Sequence, residues 1–427
     1  MWGDIAIAFL LAFITAFMMT PYSIKLAIKV GAVDIPKDNR RMHSRPIPKL
    51  GGIAVICGFI VSMCYLIFTM TIENEGNLDL FQEHYFMKII GYFLGVLVLG
   101  ITCFIDDIKS IKPLVKLSGQ LLAAIIVTSF GLRLGTINIP FIHSAEINEL
   151  ISIILTIGWI VGITNAINLM DGLDGLSSGI TLISCLSLLI IFALNNSPII
   201  AIIMITALAG AIVGFLPYNF NPAKTFIGDT GSNFLGYTLS IVSILGVAKT
   251  YTAAVIVLPI IVLGLPIFDT IWAIFRRIIK EKSFKAVFKA DKGHLHHRIV
   301  RRGFSTKQAV YILYGISACC GMFAVILLES GIWKAISFAI MVVLIVAVGL
   351  KNFIKPDREP GSQYECMNCR YIYNPKVGNE AAGIKPHTEF SDLPDDWTCP
   401  VCGKNKDNFK VHEGEKERIR WTKLISF

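Results

Sequence analysis

The stretch NAINLMDGLDGL, residues 165–176, decides how this chain folds. It follows the apolar run ELISIILTIGWIVGIT, residues 149–164, and it precedes SSGITLISCLSLLIIFAL, residues 177–194. Each run approaches the roughly 20 apolar residues with which a helix crosses a bilayer. A charge at the bilayer centre costs roughly 2.5–3.5 kcal/mol on insertion scales. Two membrane helices are therefore predicted, and the amides and carboxylates between them are expected at the membrane surface.

The composition extends this prediction to most of the chain. Of its 427 residues 54% are hydrophobic and the mean hydropathy is +0.65, which is too apolar for an ordinary soluble domain. About eleven segments have the length that spans a membrane, so the predicted fold class is an all-α polytopic membrane protein. The predicted spans are residues 3–28, 51–72, 86–105, 114–131, 149–168, 176–194, 198–216, 233–248, 252–275, 308–328 and 332–351.

The placement of Lys and Arg predicts the orientation of the spans, because cytoplasmic loops carry an excess of both. The loop after the first span contains Lys37, Arg40, Arg41 and Arg45, whereas the next loop, residues 73–85, contains acids and no Lys or Arg. The alternation predicts an N-terminus outside the plasma membrane and a cytoplasmic C-terminus. The net charge of +9 is then explained by topology, and a nucleic-acid partner is not expected.

The chain changes in composition near residue 352, which predicts a domain boundary. Residues 1–352 are the predicted membrane domain, 353–363 a polar linker, 364–412 a small soluble domain and 413–427 a charged, amphipathic tail. The soluble domain contains two C-x-x-C pairs, formed by Cys366, Cys369, Cys399 and Cys402. Four thiolates on two tight turns suit one tetrahedrally bound metal ion. Disulfides are not expected on the cytoplasmic side, where thiols stay reduced.

This small β domain resembles a rubredoxin. Its first C-x-x-C is followed by YIYNP at residues 371–375, by LPDDWTCPVCG at 393–403 and by KDNF at 406–409. A rubredoxin binds one iron ion in a cage of four Cys thiolates, so the resemblance implies iron, and a zinc ribbon is the alternative. Arg370 and His387 stand where rubredoxins usually have Gly, a residue that is favoured where φ is positive.

Three more polar clusters fall on the predicted cytoplasmic side: FIDDIKS at 104–110, NPAKTFIGDTGS at 221–232 and DKGHLHHRIVRRG at 291–303. Each alone is also explained by a helix cap or a solvated loop. Together with NAINLMDGLDGL they bring acids, amides and imidazoles to one membrane face. Carboxylate and amide oxygens suit Mg²⁺, which also bridges substrate phosphates, and Mn²⁺ is the alternative ion.

These four motifs resemble those of the polyprenyl-phosphate N-acetylhexosamine-1-phosphate transferases, over about residues 1–350. The resemblance implies transfer of a sugar-1-phosphate from a UDP-N-acetylhexosamine to undecaprenyl phosphate in the lipid bilayer, with release of UMP. HLHHR, residues 294–298, resembles the branch that uses UDP-N-acetylglucosamine to initiate wall teichoic acid or surface polysaccharide. The branch that transfers phospho-N-acetylmuramoyl-pentapeptide is the alternative.

The resemblance also implies roles for individual residues. Asp229 and Asn168 are expected to bind Mg²⁺, and Asp106 and Asp107 to lie beside the acceptor phosphate. Direct attack by the lipid phosphate is favoured, because its second pKa near 6 leaves it mostly dianionic, and a covalent phospho-Asp is the rival. Asp171 and Asp174 are expected to shape the nucleotide–metal site. The residues expected to bind substrate are Lys116, Asn165, Phe226, His294, His296, His297 and Arg298, with Phe226 stacking on uracil.

Two other classes of function fit less well. A membrane electron-transfer protein would use the rubredoxin-like domain, but haem in a helix bundle generally requires paired His within the spans, and the His residues here lie in or beside loops. A transporter would favour ionisable residues near the middle of the membrane. Sugar-phosphate transfer is redox-neutral, so the iron domain is expected to sense redox state or to dock an unidentified redox partner. A homodimer is left open.

Overall fold

The computed structural model describes residues 2–35, 46–72, 83–134, 148–247, 253–281, 293–353 and 363–412, except 376, 380, 381, 385, 387, 389 and 395. The chain divides into two compact units, Met1–Val342 and Val343–Phe427. The predicted tail, residues 354–362 of the predicted linker, His387 and the basic residues Lys37, Arg40, Arg41 and Arg45 lie outside the described residues.

Helices make up almost all of the described first unit. This follows from the apolar sequence, because backbone polar groups in hydrocarbon must be hydrogen-bonded within the segment. The α-helices of the described residues are α1 (Trp2–Val30), α2 (Gly51–Ile72), α3 (Glu83–Lys109), α4 (Pro113–Ser129), α5 (Glu149–Leu169), α6 (Leu176–Leu194), α7 (Ile199–Asn219), α8 (Gly228–Val247), α9 (Ala253–Val262), α10 (Gly264–Glu281), α11 (Leu295–Arg301), α12 (Thr306–Ser330) and α13 (Ile332–Phe353).

The predicted spans coincide with these helices, except that the ninth span is two helices. The segment 252–275 is broken at Leu263, between α9 and α10. Among the described residues, seven helices are long and apolar enough to cross a membrane: α1, α2, α3, α5, α6, α7 and α12. Large exposed apolar side chains such as Leu10, Leu97 and Leu150 cover the outside of the bundle. These features describe a predominantly helical, multi-pass membrane protein.

α7 lies at the centre of the bundle, packed against α1, α2, α6 and α8. Nearly all of its side chains are buried, and it is apolar all round, as expected of a helix that faces protein on every side. Gly210 and Gly214 let α7 approach α1 closely, because a Cβ at either position would overlap a backbone carbonyl of α1. This packing fixes the helices whose ends form the site described below.

A short hairpin between α1 and α2 supports the start of α8. Its strands, β1 (Val33–Asp34) and β2 (Ile47–Pro48), pair antiparallel. Just after β2, the Gly52 N–H donates to the Ile227 carbonyl at 2.8 Å. A Cβ at Gly52 would overlap the Cα of Gly231, so only glycine fits at this crossing. The start of α2, directly after the hairpin, and the first turn of α8 are therefore held against each other.

The second unit contains a three-stranded antiparallel sheet in the order β4-β3-β5. The strands are β3 (Tyr364–Cys366), β4 (Ile372–Tyr373) and β5 (Phe409–Val411). Buried aromatic rings form its core, and the rings of Tyr364 and Phe390 stack with centroids 4.1 Å apart. The prediction of a small β domain is thereby confirmed.

Candidate active site

A cavity of about 1190 Å³ is lined by residues of α3, α5, α7, α8, α11 and α12, of the β1–β2 hairpin and of the loops between helices. Its charged lining residues are the carboxylates Asp34, Asp107, Asp171, Asp174 and Asp229, the ammonium groups of Lys49 and Lys224, and the imidazole of His297. Carboxylates thus outnumber the cationic groups. A phosphate-bearing ligand enters such a cavity favourably only together with a cation, because like charges at close range repel.

Asp107, near the end of α3, caps the start of α8. Its Oδ1 accepts a hydrogen bond from the Asp229 N–H at 2.9 Å. Its Oδ2 accepts from the Thr230 N–H at 2.9 Å and from the Thr230 hydroxyl at 2.7 Å. The first N–H groups of a helix lack partners within the helix, so a carboxylate there satisfies them and interacts favourably with the helix dipole. Gly228, whose φ is +71°, turns the chain into this cap.

The carboxylate of Asp229 pairs with the ammonium of Lys116, which comes from α4. Oδ1 of Asp229 also accepts from Nδ2 of Asn168 at 2.7 Å, and Lys116 Nζ donates to Oδ1 of Asn168 at 3.2 Å. Asp106 lies on another side of the same ammonium, with its Oδ2 3.4 Å from Nζ. Four residues from α3, α4, α5 and α8 therefore converge on one point. Their carboxylate and amide oxygens are the ligands that a hard cation prefers.

A network of buried amides lies behind this point. Gln120 and Asn233 are 2% and 0% exposed, and Gln120 Nε2 donates to Asn233 Oδ1 at 2.7 Å. Asn165 Nδ2 donates to Gln120 Oε1 at 2.7 Å, and Asn233 Nδ2 donates to the Asp229 carbonyl at 2.8 Å. Buried amides are costly unless hydrogen-bonded. The network therefore fixes α4, α5 and α8 relative to one another directly behind Asp229.

The DGLDG loop, residues 171–175, presents two carboxylates to the cavity. The Ser177 hydroxyl donates to Oδ1 of Asp171 at 2.7 Å. Oδ2 of Asp174 accepts from Nδ2 of Asn221 at 2.8 Å and from the Ala223 N–H at 3.1 Å. Asp174 thus ties the DGLDG loop to the segment that precedes α8.

Asp171 lies where its ionised form is disfavoured. Burial first, and then the nearby carboxylates of Asp229 and Asp107, raise the pKa of Asp171 to about 7. A cation bound in the cavity would favour the ionised form, because an opposite charge nearby lowers the pKa of a carboxyl group. The charge of Asp171 is therefore sensitive to what the cavity holds.

Phe226 and Lys49 reach the cavity from two adjoining backbone segments. The Phe226 N–H donates to the Pro48 carbonyl at 2.8 Å, and the Gly51 N–H donates to the Phe226 carbonyl at 3.0 Å. These bonds hold the aromatic ring beside the end of β2. A planar ring can stack on a nucleobase, and a lysine nearby can neutralise a phosphate.

The HLHH motif at the start of α11 is attached to a buried carboxylate of α10. Nδ1 of His294 lies 2.8 Å from Oδ2 of Asp269, and the Leu295 N–H donates to Asp269 Oδ1 at 2.9 Å. Asp269 is 1% exposed and His294 is 4% exposed. The ring of His296 stacks parallel to that of His294, and the ring of His297 lies 4.2 Å from that of His296. Of the three imidazoles, that of His297 lines the cavity.

His296 is a buried, neutral part of this stack. Burial first, and then the imidazoles of His297 and His294, lower the pKa of His296 to about 3. Its Nδ1 has no hydrogen-bond partner within the described part of the chain. Its Nε2 faces Gly172, where a Cβ would overlap the ring. Glycine at position 172 is therefore required for His296 to pack against the DGLDG loop.

The four cysteines of the second unit form a compact cluster. Their sulfur atoms all lie within 4.8 Å of one another, with Cys366 3.7 Å from Cys402 and Cys369 3.5 Å from Cys399. Four thiolates at this spacing fit a single iron or zinc ion. Arg370 has a φ of +61°, the conformation that the usual glycine favours at this position.

Two family models match the sequence, and curated proteins match most of its length. Residues 89–247 match glycosyl transferase family 4, a range that includes FIDDIKS, NAINLMDGLDGL and NPAKTFIGDTGS. The chain is 38% identical over 342 residues to the probable undecaprenyl-phosphate N-acetylglucosaminyl 1-phosphate transferase of Bacillus subtilis (strain 168), covering 80% of this chain and 89% of that protein. The chain belongs to glycosyl transferase family 4.

Other relatives are more distant from this glycosyl transferase family 4 protein. A decaprenyl-phosphate N-acetylglucosaminephosphotransferase of Mycobacterium tuberculosis (strain ATCC 25618 / H37Rv) is 32% identical, over 71% of this chain and 77% of its own. A phospho-N-acetylmuramoyl-pentapeptide-transferase of Desulfitobacterium hafniense (strain DSM 10664 / DCB-2) is 29% identical, over 78% of this chain and 100% of its own. Residues 363–409 match rubredoxin, so the four-cysteine cluster belongs to a rubredoxin domain appended to the transferase.

The site residues predicted for the glycosyl transferase family 4 domain fall into two groups, and Arg298 belongs to neither. Those that line the cavity are Asp107, Asn168, Asp171, Asp174, Phe226, Asp229 and His297. The others contact the residues of that wall or lie behind them: Asp106 and Lys116 at Asp229, Asn165 in the amide network, and His294 and His296 in the imidazole stack. Arg298 follows His297 on α11; it is half-buried and is not among the residues that line the cavity.

Four residues of the site were not predicted from the sequence: Lys49, Gln120, Asn233 and Asp269. Gln120 lies four residues after Lys116 on α4, and Asn233 lies four residues after Asp229 on α8. Helical periodicity therefore places each on the same helix face as a predicted residue. Asp269 is an ionisable residue within an apolar segment, which by itself indicates a functional position. No sequence signal distinguishes Lys49 from the other lysines of the predicted cytoplasmic loops.

Proposed function

We propose that the protein transfers N-acetylglucosamine-1-phosphate from UDP-N-acetylglucosamine to undecaprenyl phosphate and releases UMP. The convergence of Asp106, Lys116, Asn168 and Asp229 beside the cavity carries the proposal, because these groups can align and neutralise two phosphate-bearing substrates. The names of the Bacillus subtilis and Mycobacterium tuberculosis relatives support a polyprenyl phosphate acceptor and an N-acetylglucosamine donor. Transfer of phospho-N-acetylmuramoyl-pentapeptide is the second candidate, supported by the more distant Desulfitobacterium relative.

In the proposed reaction an oxygen of the lipid phosphate attacks the phosphorus that carries the sugar. The bond from that phosphorus to the oxygen shared with the uridine-bearing phosphate breaks, and UMP leaves with this oxygen. The acceptor phosphate is mostly dianionic at neutral pH, since its second pKa is about 6. Positioning and charge neutralisation therefore matter more than proton removal.

The contacts of Asp107 favour this direct attack over a covalent phospho-Asp. Both of its oxygens already accept hydrogen bonds from the first turn of α8, whereas a nucleophile needs an oxygen directed at phosphorus. Asp106 is assigned to orient the acceptor phosphate. Its Oδ1 accepts from the Ile111 N–H at 2.8 Å, and its Oδ2 faces Lys116.

The residues at the convergence point fit Mg²⁺, with Mn²⁺ as the alternative. Asp229 would hold the ion together with Asn168, because carboxylate and amide oxygens are hard ligands and the cavity lining carries excess negative charge. A bound divalent ion supplies charge neutralisation to the diphosphate of the donor. Lys116 would then bind a phosphate oxygen in place of the carboxylates that it contacts here.

The rest of the cavity is assigned to the nucleotide sugar. Phe226 stacks on uracil, Asp171 and Asp174 shape the nucleotide–metal site, and His297 contacts the diphosphate and sugar. Arg298, the next residue on α11, is assigned to the same ligand although it is not among the lining residues. Asn165 supports Asp229 through the amide network, in which Gln120 links it to Asn233 and Asn233 donates to the Asp229 carbonyl.

We assign the enzyme eleven crossings of the plasma membrane, an outside N-terminus and a cavity on the cytoplasmic side, on the basis of the Lys and Arg placement. The domain limits remain 1–352, 353–363, 364–412 and 413–427. Initiation of wall teichoic acid or surface polysaccharide is the expected pathway, and a homodimer stays an open prediction.

The deciding experiment assays the purified full-length protein with undecaprenyl phosphate and Mg²⁺. Three donors are compared: UDP-N-acetylglucosamine, UDP-N-acetylgalactosamine and the UDP-N-acetylmuramoyl-pentapeptide. Labelled lipid and UMP are expected from the first donor only. Lipid formed only from the pentapeptide donor would assign the second candidate, and no lipid from any donor would contradict both.

The rubredoxin domain is assigned iron and a redox-sensing or docking role, since the transfer itself is redox-neutral. The transfer rates of the native protein and of a Cys366→Ser/Cys399→Ser variant are compared under reducing and oxidising conditions. A redox-sensing role predicts a rate change in the native protein that the variant lacks. Equal rates in all four combinations would contradict sensing and leave docking of a redox partner as the role.

A further inference from the structure

Asp269 is a buried carboxylate whose two oxygens are both used by the segment that starts α11. Oδ2 faces Nδ1 of His294 at 2.8 Å, and Oδ1 accepts from the Leu295 N–H at 2.9 Å. Asp269 is 1% exposed and is not among the residues that line the cavity. A buried carboxylate is costly unless its oxygens are hydrogen-bonded, so this arrangement is favourable only while the HLHH motif stays attached to α10.

A second contact from α10 holds the same segment. Nη1 of Arg276, about two helical turns after Asp269, donates to the Gly293 carbonyl at 2.5 Å. A Cβ at Gly293 would overlap the guanidinium group, so the chain passes directly over it. Residues 293–295 are therefore attached to α10 at three points. α11 has seven residues, too few for a helix to be stable alone, so its orientation depends on these attachments.

The attachment reaches the cavity through the stacked imidazoles. The carboxylate of Asp269 accepts from Nδ1 of His294, which fixes both the tautomer and the plane of that ring. The ring of His296 lies nearly parallel to it, at 8° and with centroids 5.9 Å apart. The ring of His297 contacts that of His296 and lines the cavity. A displacement of His294 would therefore move the imidazole that faces the substrate.

We propose that Asp269 is a positioning residue for sugar-phosphate transfer: through His294 it sets α11 so that His297 faces the diphosphate of the nucleotide sugar. This inference rests on the proposed function for its kinetic consequences, but not for its structural ones. Asp269 itself does not touch the substrate. His294 contributes as the attachment of the motif and not as a direct substrate contact.

The first test compares Asp269→Asn with the native protein. An amide keeps one oxygen for one donor and presents an N–H group to the other, so one of the two attachments is lost. Backbone hydrogen exchange of residues 295–301, measured by mass spectrometry, is expected to quicken at least about tenfold, while exchange in α8 stays unchanged. The KM for UDP-N-acetylglucosamine is expected to rise roughly 10- to 100-fold, since displacements of about 1 Å have effects of this size. The KM for the lipid acceptor is expected to stay within about twofold.

A matched control is Glu329→Gln, the same carboxylate-to-amide change at an exposed position near the far end of α12. It is expected to leave α11 exchange and both KM values unchanged. Thermal unfolding in detergent checks that each variant is folded. If Asp269→Asn does not fold, the two His294 variants test by themselves whether the contact between Asp269 and His294 orients α11.

The second test uses two substitutions of His294 that differ in where they place an N–H group. Asn carries its amide nitrogen where His carries Nδ1, so His294→Asn keeps the donor to Asp269; His294→Gln carries its amide nitrogen near the position of Nε2 and loses that donor. His294→Asn keeps the donor to Asp269 but removes the ring that stacks on His296, so a smaller rise in KM and in exchange is expected for it than for His294→Gln, which should show the Asp269→Asn phenotype. The Asp269→Asn/His294→Gln double variant is expected to be no worse than either single one.

The outcomes separate the two proposals. Unchanged α11 exchange in Asp269→Asn, or equal loss in both His294 variants, would overturn the positioning role of Asp269. A native protein that is folded but transfers no sugar-phosphate contradicts the proposed function, while the exchange data still decide whether Asp269 orients α11. If the native protein transfers sugar-phosphate but the changes in KM and exchange of the two single variants add up in the double variant, Asp269 does not act through His294.

Discussion

The rubredoxin domain and the carboxylate cavity, which is the proposed site of Mg²⁺, are built in opposite ways. In the rubredoxin domain four identical ligands come from two short motifs, and their sulfur atoms lie within 4.8 Å of one another. In the cavity the candidate ligands come from separate helices, and an ammonium group, that of Lys116, lies among them. The described residues contain no comparable cluster of carboxylates and imidazoles.

The difference follows from what each region must do. Iron in a rubredoxin domain stays bound, so the thiolate cage is complete without any other molecule. A hard ion that takes part in phosphoryl transfer shares its coordination with substrate phosphates and water. The ligands of such an ion are complete only when the substrate is bound. Without substrate, the ammonium of Lys116 neutralises the carboxylates of Asp229 and Asp106. The predictions below test whether the two regions are independent in this way.

The largest effect is expected from Asp229→Asn. The variant removes the negative charge of Asp229, the proposed ligand of the metal ion. The rate of transfer should fall about 10²- to 10³-fold or more, as when one preorganised electrostatic group is lost. Radiolabelled sugar transfer to lipid measures the loss, and the iron absorbance of the rubredoxin domain should not change. The exposed Glu329→Gln variant serves as the control. Transfer at the native rate would mean that Asp229 holds no essential ion.

The reciprocal change, Cys366→Ser, is expected to remove most of the iron. A hydroxyl is a harder and weaker ligand than a thiolate for this site, and metal content by mass spectrometry measures the loss. Transfer under reducing conditions should stay within about twofold of native, because the transfer is redox-neutral. A parallel loss of iron and of transfer would show that the two regions depend on each other.

A smaller effect is expected where the DGLDG loop meets the imidazole stack. A Cβ introduced by Gly172→Ala would overlap Nε2 of His296, so His297 should shift and transfer should fall roughly 10- to 100-fold. Gly158→Ala on α5 is the matched control, since nothing lies within 4 Å of the added methyl group. Iron content should be native in both. Equal transfer rates for the two variants would contradict the packing described for His296.

The smallest effect is a pH-dependent change in stability from Asp171→Asn. The pKa of Asp171 is raised to about 7 by burial and nearby carboxylates, so its neutral form favours folding. That contribution is fully present below the unfolded-state pKa of about 4 and is lost as the pH rises through 7. Asn cannot ionise, so the variant should melt about 2–5 °C above the native protein at pH 8.

This difference between Asp171→Asn and the native protein should shrink steadily towards pH 5. Thermal unfolding of the first unit, followed by intrinsic fluorescence in EDTA, measures it, with Glu329→Gln as the control. A difference that does not vary with pH would mean that Asp171 does not titrate in this range. Added Mg²⁺ should reduce the difference at pH 8, since a nearby cation favours the ionised native carboxylate.

The helices and the cysteine cluster could be predicted because their information is local. Apolar runs of membrane length placed α2 and α6 at their observed ends, and two C-x-x-C pairs identified the four thiolates. The break at Leu263 was not predicted, because the run of residues 252–275 is apolar except for Asp269 and has the length of a single span. Pro259, Gly264 and Pro266, which lie near the break, are the sequence signals for it.

The separation of roles within the predicted clusters could not be read from the sequence. Asp107 and Asp106 are adjacent, yet one caps α8 and the other faces Lys116. His294, His296 and His297 lie within four residues, yet only the last lines the cavity. Such assignments depend on which distant segment each side chain meets. The partners that decide them, the start of α8 and Asp269, lie far away along the chain.

The crossing of Gly52 and Gly231 limits how this enzyme can be redesigned. Neither position accepts even a methyl group unless the backbone of the other moves, so a library that varies one of them alone will yield mostly misassembled protein. Replacement of the segment before α2 with that of a relative should therefore carry the opening turn of α8 along as a single exchanged block.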